Sequence, residues 1–85
     1  MLKVSVISPE SSLYEGDATS VVAPAFDGEV GILTGHAPMM TLLGKGSLRI
    51  DAAGGSRQFS IEGGFLQVVD NRVRVVTERG APDPV

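Results

Sequence analysis

The chain has 85 residues, no cysteine and a formal net charge of −3 at pH 7. A chain of this length supports one modest hydrophobic core, so we expect a single domain over residues 1–85. The lack of cysteine excludes disulfides and thiolate metal sites, and the acidic balance without a basic run disfavours nucleic-acid binding. No stretch reaches the about 20 apolar residues of a membrane-spanning helix, so we expect no direct membrane insertion.

Alternation of apolar and polar residues predicts β-strands from the start of the chain. Leu2, Val4 and Val6 alternate with Lys3 and Ser5 in the first candidate strand. The same pattern predicts further strands over residues 17–23, where Pro24 is expected to end the strand, and over 47–52, 57–62, 65–69 and 73–77.

Two dipeptides between these segments are typical of tight hairpin turns. Gly54-Gly55 and Asp70-Asn71 both tolerate the positive φ angles that two-residue hairpin loops need. Turn signals recur about every 8–12 residues, and no long window free of Gly and Pro has helical periodicity. We therefore predict an all-β fold, a small two-sheet β-sandwich or flattened barrel.

The most informative segment runs from Asp27 to Leu43, with the sequence DGEVGILTGHAPMMTLL. Gly28, Gly31 and Gly35 argue against a helix, because each would cost about 1 kcal/mol relative to alanine in a helix interior. Glycine at these positions indicates positive φ angles or close backbone approach in a tightly turned β segment. We expect the segment to form a surface that meets a partner.

Two apolar doublets, Met39-Met40 and Leu42-Leu43, place apolar side chains on both faces of one short segment. A strand that is apolar on both sides is either covered by a second layer or exposes a patch to a partner. We expect the doublets to be divided between the core and a partner contact. Leu42 and Ile32 are predicted as core members.

The sequence offers no constellation that favours catalysis or metal binding. His36 is the sole histidine, and a metal site would have to draw on scattered carboxylates. No serine lies in a GxSxG turn, and Asp27 and Glu29 are best read as solvated charges beside a turn glycine. We expect no catalytic residue, metal or cofactor.

Gly44-Lys45-Gly46 supports an alternative function. A lysine at the tip of a glycine-flanked turn resembles the presentation of lysine in biotinyl and lipoyl carrier domains, although those domains place methionine or an acidic residue beside it. The alternative is therefore a free-standing β carrier or ligand-binding module with Lys45 as the turn lysine.

A family resemblance covers essentially the whole chain. GEVGILTGHAPMMTLL and the later Gly63-Gly64-Phe65 resemble the epsilon subunit of the F-type ATP synthase, as does the opening LKVSVISPESSLYEGDATSVVAP. The run Gly-His-Ala-Pro is the most specific part of the match. Thr34 departs from the pattern, because the family usually has proline there.

The resemblance implies a non-catalytic rotor subunit that couples gamma to the membrane c-ring during proton- or sodium-driven ATP synthesis. It implies gamma contacts at Ser8, His36 and Thr41, and c-ring contacts at Glu29, Val30 and Gly31, in a loop from Asp27 to Gly31 with Glu29 at its tip. It also implies a peripheral position on the cytoplasmic side of the bacterial plasma membrane, within the complex.

The helical hairpin that commonly follows this domain in the family has no counterpart in these 85 residues. In the family that hairpin extends along the stalk and inhibits ATP hydrolysis. We therefore expect no strong, ATP-reversible inhibition from these residues alone.

Overall fold

The computed structural model describes residues 1–82, which contain ten strands. The strands are β1 Leu2–Ile7, β2 Ser12–Ala18, β3 Ser20–Ala25, β4 Gly28–Leu33, β5 Met39–Leu42, β6 Lys45–Ala52, β7 Gly55–Glu62, β8 Phe65–Val69, β9 Arg72–Val76 and β10 Arg79–Pro82. They form two five-stranded sheets, which we call sheet A (order β2-β1-β9-β8-β5) and sheet B (order β10-β7-β6-β3-β4). The predicted all-β sandwich is confirmed.

One apolar core lies between the two sheets, and strand alternation explains which side chains enter it. In β7, Phe59 and Ile61 are buried while Gln58 and Ser60 face solvent. The other strands contribute inward residues by the same period of two. The largest of these buried side chains are Leu2, Ile32, Leu48, Ile50 and Leu66.

The strand pairings define two ends of the sandwich. We call the end of the sandwich at the C-terminus of β1 the upper end. Ala18, the last residue of β2, pairs with Leu2 at the start of β1, and β3 begins two residues later, so β3 also starts at the lower end and the β3–β4 turn lies at the upper end. The lower end carries the β6–β7 and β8–β9 turns and the segment 34–38 that joins β4 to β5.

The predicted strand over residues 17–23 is wrong in its bounds. The chain leaves β2 at Ala18 and begins β3 at Ser20, so the segment is divided between the two sheets. Pro24 does not end the strand but lies inside β3. The Pro24 carbonyl accepts the Gly44 N–H at 2.8 Å. The nitrogen of Pro24 faces the same side of the strand as its carbonyl, and on that side the pairing of β3 with β6 has already ended. The missing N–H of Pro24 therefore costs no hydrogen bond between strands.

The two predicted hairpin turns have different outcomes. Asp70 and Asn71 have φ angles of 49° and 63°, and Val69 pairs with Arg72, so this turn is confirmed. The turn predicted at Gly54-Gly55 lies one residue earlier, at residues 53–54, because Ala52 pairs with Gly55. The strand β10 was not expected, since its residues are rich in the turn formers Gly and Pro.

A small polar cluster fastens the lower end of sheet B. The Asp51 carboxylate accepts hydrogen bonds from the Ser56 hydroxyl, from the Ser20 hydroxyl at 2.9 Å and from the Arg49 Nε at 3.0 Å. These donors join β3, β6 and β7. The hydrogen bonds from Ser56, Ser20 and Arg49 hold the pKa of the Asp51 carboxyl below its ordinary value of 3.8.

Acid is therefore expected to destabilise the natural chain more than an Asp51→Asn variant. Because the folded-state pKa lies below the unfolded one, the ionised carboxylate stabilises the fold above the unfolded pKa. That stabilisation is lost as the pH falls through the folded-state pKa. Urea unfolding of both chains at about pH 7 and about pH 2.5 measures the difference, and equal losses in the two chains would contradict the role of Asp51.

Candidate functional site

The β3–β4 hairpin ends in a two-residue turn made by Phe26 and Asp27. Ala25 pairs with Gly28, and Gly28 has a φ of 132°, which favours glycine at this point. Phe26 is 67% exposed, an unusual position for an aromatic side chain. The sequence prediction missed Phe26, although an aromatic residue beside an Asp-Gly turn was the available signal.

The predicted loop from Asp27 to Gly31 is wrong, because residues 28–33 form the edge strand β4. Glu29 therefore lies in the strand, two residues after Asp27, and not at the tip. Pairing with β3 imposes alternation, so Glu29 and Gly31 are exposed while Val30 is half-buried and packs against the core. Glu29 and Gly31 are thus more accessible to a partner than Val30.

Strand β5 divides the apolar doublets between two faces. Met39 packs against the core and Leu43 is buried, whereas Met40 is 65% exposed and Leu42 is 64% exposed. The division itself was predicted, but the placement of Leu42 in the core is wrong. Met40 and Leu42 share the outer face of sheet A because they are two residues apart in one strand.

Apolar residues continue across the outer face of sheet A from Leu42. Leu42 pairs with Phe65, Phe65 with Val76, and Val76 with Ile7. Phe65, Val76 and Ile7 are each partly exposed. The face thus presents an apolar row at its upper end, and we call Met40 and Leu42, both in β5, the exposed apolar patch.

The three predicted gamma contacts are spread over sheet A. Ser8 lies at the upper end and is 7% exposed, and its hydroxyl donates to the Ser11 carbonyl at 3.2 Å. His36 lies in the 34–38 segment at the lower end and is half-exposed, and Thr41 is a half-buried residue of β5. β5 and β1 are three strand spacings apart, or about 14 Å. Thr41 alternates with Met40 and Leu42 and pairs with the buried Leu66, so its side chain lies on the core side of β5. A partner touching all three residues would therefore have to reach around the β5 edge of sheet A as well as across the sheet.

Residues 42–44 join the two sheets at the upper end. The Phe26 N–H donates to the Leu42 carbonyl at 3.0 Å, and the Gly44 N–H donates to the Pro24 carbonyl at 2.8 Å. On the other side, the Leu43 N–H donates to the Gly64 carbonyl at 2.9 Å. We call residues 42–44 the intersheet junction. It connects the β3–β4 turn directly to the strand that carries the exposed apolar patch.

Lys45 is the first residue of β6 and pairs with Glu62 in β7. The flanking glycines serve close packing, since a Cβ at Gly46 would lie 2.9 Å from the Cβ of Pro24. Lys45 is thus a strand residue and not the tip of a turn. The geometry that the carrier alternative requires is absent at this lysine.

Within residues 1–82, no group of three or more His, Cys, Asp or Glu side chains is placed to hold a metal ion. The same residues contain no helix, and hence none of the length and apolarity needed to cross a bilayer. What the described part of the chain offers is shape, apolar area and a few exposed carboxylates.

These features define a two-sheet β-sandwich domain, and comparison with known proteins identifies its family. Residues 1–82 match the family described as the ATP synthase, Delta/Epsilon chain, beta-sandwich domain. The ATP synthase epsilon chain of Leptospira borgpetersenii is 48% identical over 80 residues, which cover 94% of this chain and 63% of that relative. The chain belongs to the ATP synthase delta/epsilon family.

Two further comparisons bear on length and fold. The ATP synthase epsilon chain of Frankia casuarinae is 37% identical over 78 residues, which cover 91% of this chain and 92% of that relative. A chain in the cryo-EM structure of the Euglena gracilis mitochondrial ATP synthase, titled OSCP/F1/c-ring, is 25% identical with a TM-score of 0.87, and the match covers 95% of this chain and 52% of that one. The present chain thus spans about 63% of the Leptospira relative and nearly all of the Frankia one.

Proposed function

We propose that this chain is a non-catalytic central-stalk subunit of an ATP synthase that couples gamma to the membrane c-ring during ion-driven ATP synthesis. The observation that carries the proposal is the exposed apolar patch beside an acidic hairpin, in a rigid sandwich whose family is the ATP synthase delta/epsilon chain. We further propose that residues 1–85 act as one domain, peripheral to the cytoplasmic side of a bacterial plasma membrane.

Gamma is assigned to the outer face of sheet A along β5. Met40 and Leu42 are the exposed apolar side chains of β5, with His36 and Thr41 on the same stretch of chain and Ser8 at the far corner of the sheet. Gamma would cover the apolar row and remove it from water. Apolar patches of this kind mark protein contacts because they are rarely left exposed in a monomer.

The c-ring is assigned to the β3–β4 hairpin. Phe26 and Asp27 form its tip, and Glu29, Val30 and Gly31 follow in the edge strand β4. An exposed ion pair contributes only about 0.2–1 kcal/mol, so Glu29→Ala alone is expected to change assembly little. Most of the contact would come from the area of the turn.

A cysteine at Asp27 or Glu29 is expected to form a disulfide with a cysteine in the polar loop of a c subunit. The hairpin tip would lie against that loop, so the two thiols would come within bonding range. The cross-linked complex should still rotate, because both partners belong to the rotor. Non-reducing electrophoresis and single-molecule rotation of the assembled complex provide the two measurements.

Gly54→Cys is the matched control for these cross-links. It lies in the β6–β7 turn at the opposite end of the same sheet, and it should not react with the c-subunit cysteine. Failure of residues 27 and 29 to cross-link in a fully assembled complex would refute the c-ring assignment. A cross-link that stopped rotation would refute the place in the rotor.

The proposed function as a whole is tested by affinity purification of the tagged chain from membranes. Gamma and c subunits should be identified by mass spectrometry in the purified material. The Leu42→Ala variant should recover less gamma from the same membranes. Recovery of the chain with neither subunit would overturn the proposal.

A further inference from the structure

We infer that Asn71 is a positioning residue for the gamma contact: its side-chain amide holds the segment 34–38 in the conformation that presents His36. This inference rests on the proposed function, because it deepens the assignment of gamma to this side of the sandwich. Asn71 was predicted only as a turn residue. The structure gives its side chain a second task.

Within residues 1–82, the segment 34–38 is, with Thr19, one of two links between the sheets at the lower end. It leaves β4 in sheet B after Leu33 and enters β5 in sheet A at Met39. Thr34, Gly35, Ala37 and Pro38 are all exposed, so apolar packing does little to fix this part of the backbone. Such a link needs specific hydrogen bonds to keep one conformation.

Asn71 supplies one of those hydrogen bonds from a distant part of the chain. The Gly35 N–H donates to the Asn71 Oδ1 at 2.7 Å, across 36 positions of sequence. A local bond adds to it, in which the His36 N–H donates to the Leu33 carbonyl at 3.0 Å. Together they fix the two consecutive peptide groups on either side of the Gly35 Cα.

Asn71 is itself firmly placed. It lies in the β8–β9 turn with a φ of 63°, and its carbonyl accepts the Lys3 N–H at 2.8 Å. Three strands of sheet A, namely β1, β8 and β9, therefore hold the backbone that carries the amide. The exposed link is fastened through this one side chain to the middle of the sheet.

Few residue types can do both tasks at this position. The backbone conformation favours Gly, Asn and Asp, which tolerate positive φ angles. The bond to Gly35 needs a short side chain with an oxygen acceptor, which Asn and Asp have and Gly lacks. Asn71→Gly thus keeps the turn and removes the bond, whereas Asn71→Asp keeps both.

The expected consequence is a loss of affinity without a matching loss of stability. A link freed from Asn71 must be ordered each time gamma binds, and that ordering opposes binding. We expect Asn71→Gly to weaken gamma binding about five- to tenfold. The Gly35 amide should exchange with solvent at least about tenfold faster.

The experiment measures gamma affinity, unfolding by urea and amide exchange at Gly35 for the full chain and three variants. The probe is the purified gamma subunit of the same organism. Asn71→Asp should restore both affinity and exchange protection. Asp70→Gly, the matched control, alters the neighbouring turn residue and should leave the Gly35 amide protected and the affinity unchanged.

The outcomes separate this inference from the proposed function. If the natural chain binds gamma and Asn71→Gly binds equally well, the positioning role is wrong. If Asn71→Gly loses gamma affinity only in proportion to its loss of unfolding free energy, Asn71 has only a structural role and the inference is overturned. If the natural chain does not bind gamma, the proposed function fails, while Gly35 exchange still decides whether Asn71 holds the link.

Discussion

Replacing Gly64 with alanine is expected to remove most of the stability of the fold, about 4 kcal/mol or more of a total that is commonly 5–15 kcal/mol. Gly64 has a φ of 99°, a conformation that side chains with a Cβ rarely adopt. An added Cβ would overlap the carbonyl oxygen of Val76 and lie 2.7 Å from the Cα of Thr77. Both obstacles are backbone atoms, so no side chain can move aside to relieve the clash.

Gly54→Ala provides the control for Gly64→Ala. A Cβ at Gly54 would have no heavy atom within 4 Å, so its cost should stay within about 0.5 kcal/mol. Urea unfolding followed by circular dichroism measures both variants. If Gly64→Ala does not fold, its proteolysis at low temperature compared with Gly54→Ala gives the same ranking. Equal stability of the two variants would show that the backbone around Gly64 differs from the one described.

Truncating Ile32 and Leu42 to alanine is expected to have opposite consequences, although both lose the same kind of apolar bulk. Ile32 is fully buried between the sheets, so Ile32→Ala should cost about 2–5 kcal/mol of unfolding free energy. Leu42 points outward from sheet A and is 64% exposed, so Leu42→Ala should change stability by less than about 0.5 kcal/mol.

The effects of the two substitutions on gamma affinity should have the opposite order to their effects on stability. Leu42→Ala should weaken the affinity for gamma about ten- to thirtyfold, because Leu42 is expected to be covered at the centre of the contact. Ile32→Ala should bind with nearly natural affinity at a temperature where it remains folded. Titration calorimetry at low temperature, with unfolding curves for each variant, measures both effects. If the Leu42→Ala chain is stable and binds gamma with natural affinity, the exposed apolar patch is not part of the gamma contact.

The sequence predicted the fold class and most of the later strands because their alternation is regular. From β6 to β9, apolar residues follow a period of two, and the Asp70-Asn71 turn has a clear conformational preference. β2 was missed because SLYEGDA offers no such alternation. β4 was read as a loop because its glycines suggested turns, whereas pairing with β3 determined its conformation.

The candidate surface was harder to predict, for a physical reason. In MMTLL apolar residues occur at both odd and even positions, and hence on both faces of a strand. The sequence alone therefore does not determine which members of the doublets face the core. That choice is made by the pairing of β5 with β8 and by the link from Leu43 to Gly64, both of which are long-range. The tertiary role of Asn71 is likewise invisible in sequence, because its partner Gly35 is 36 positions away.

The intersheet junction has a mechanical consequence for a subunit that would carry torque. Within the described residues, β3 is held along its length by pairs with β4 and β6 and, near the hairpin tip, by the Gly44 N–H and the Ala25–Leu43 bridge. A push directed along β3 would load these bonds in parallel, in shear, so that no single bond would open first as in a zipper. The hairpin would therefore deflect little, and the sandwich would act as a stiff spacer that passes the push on without storing it as elastic strain.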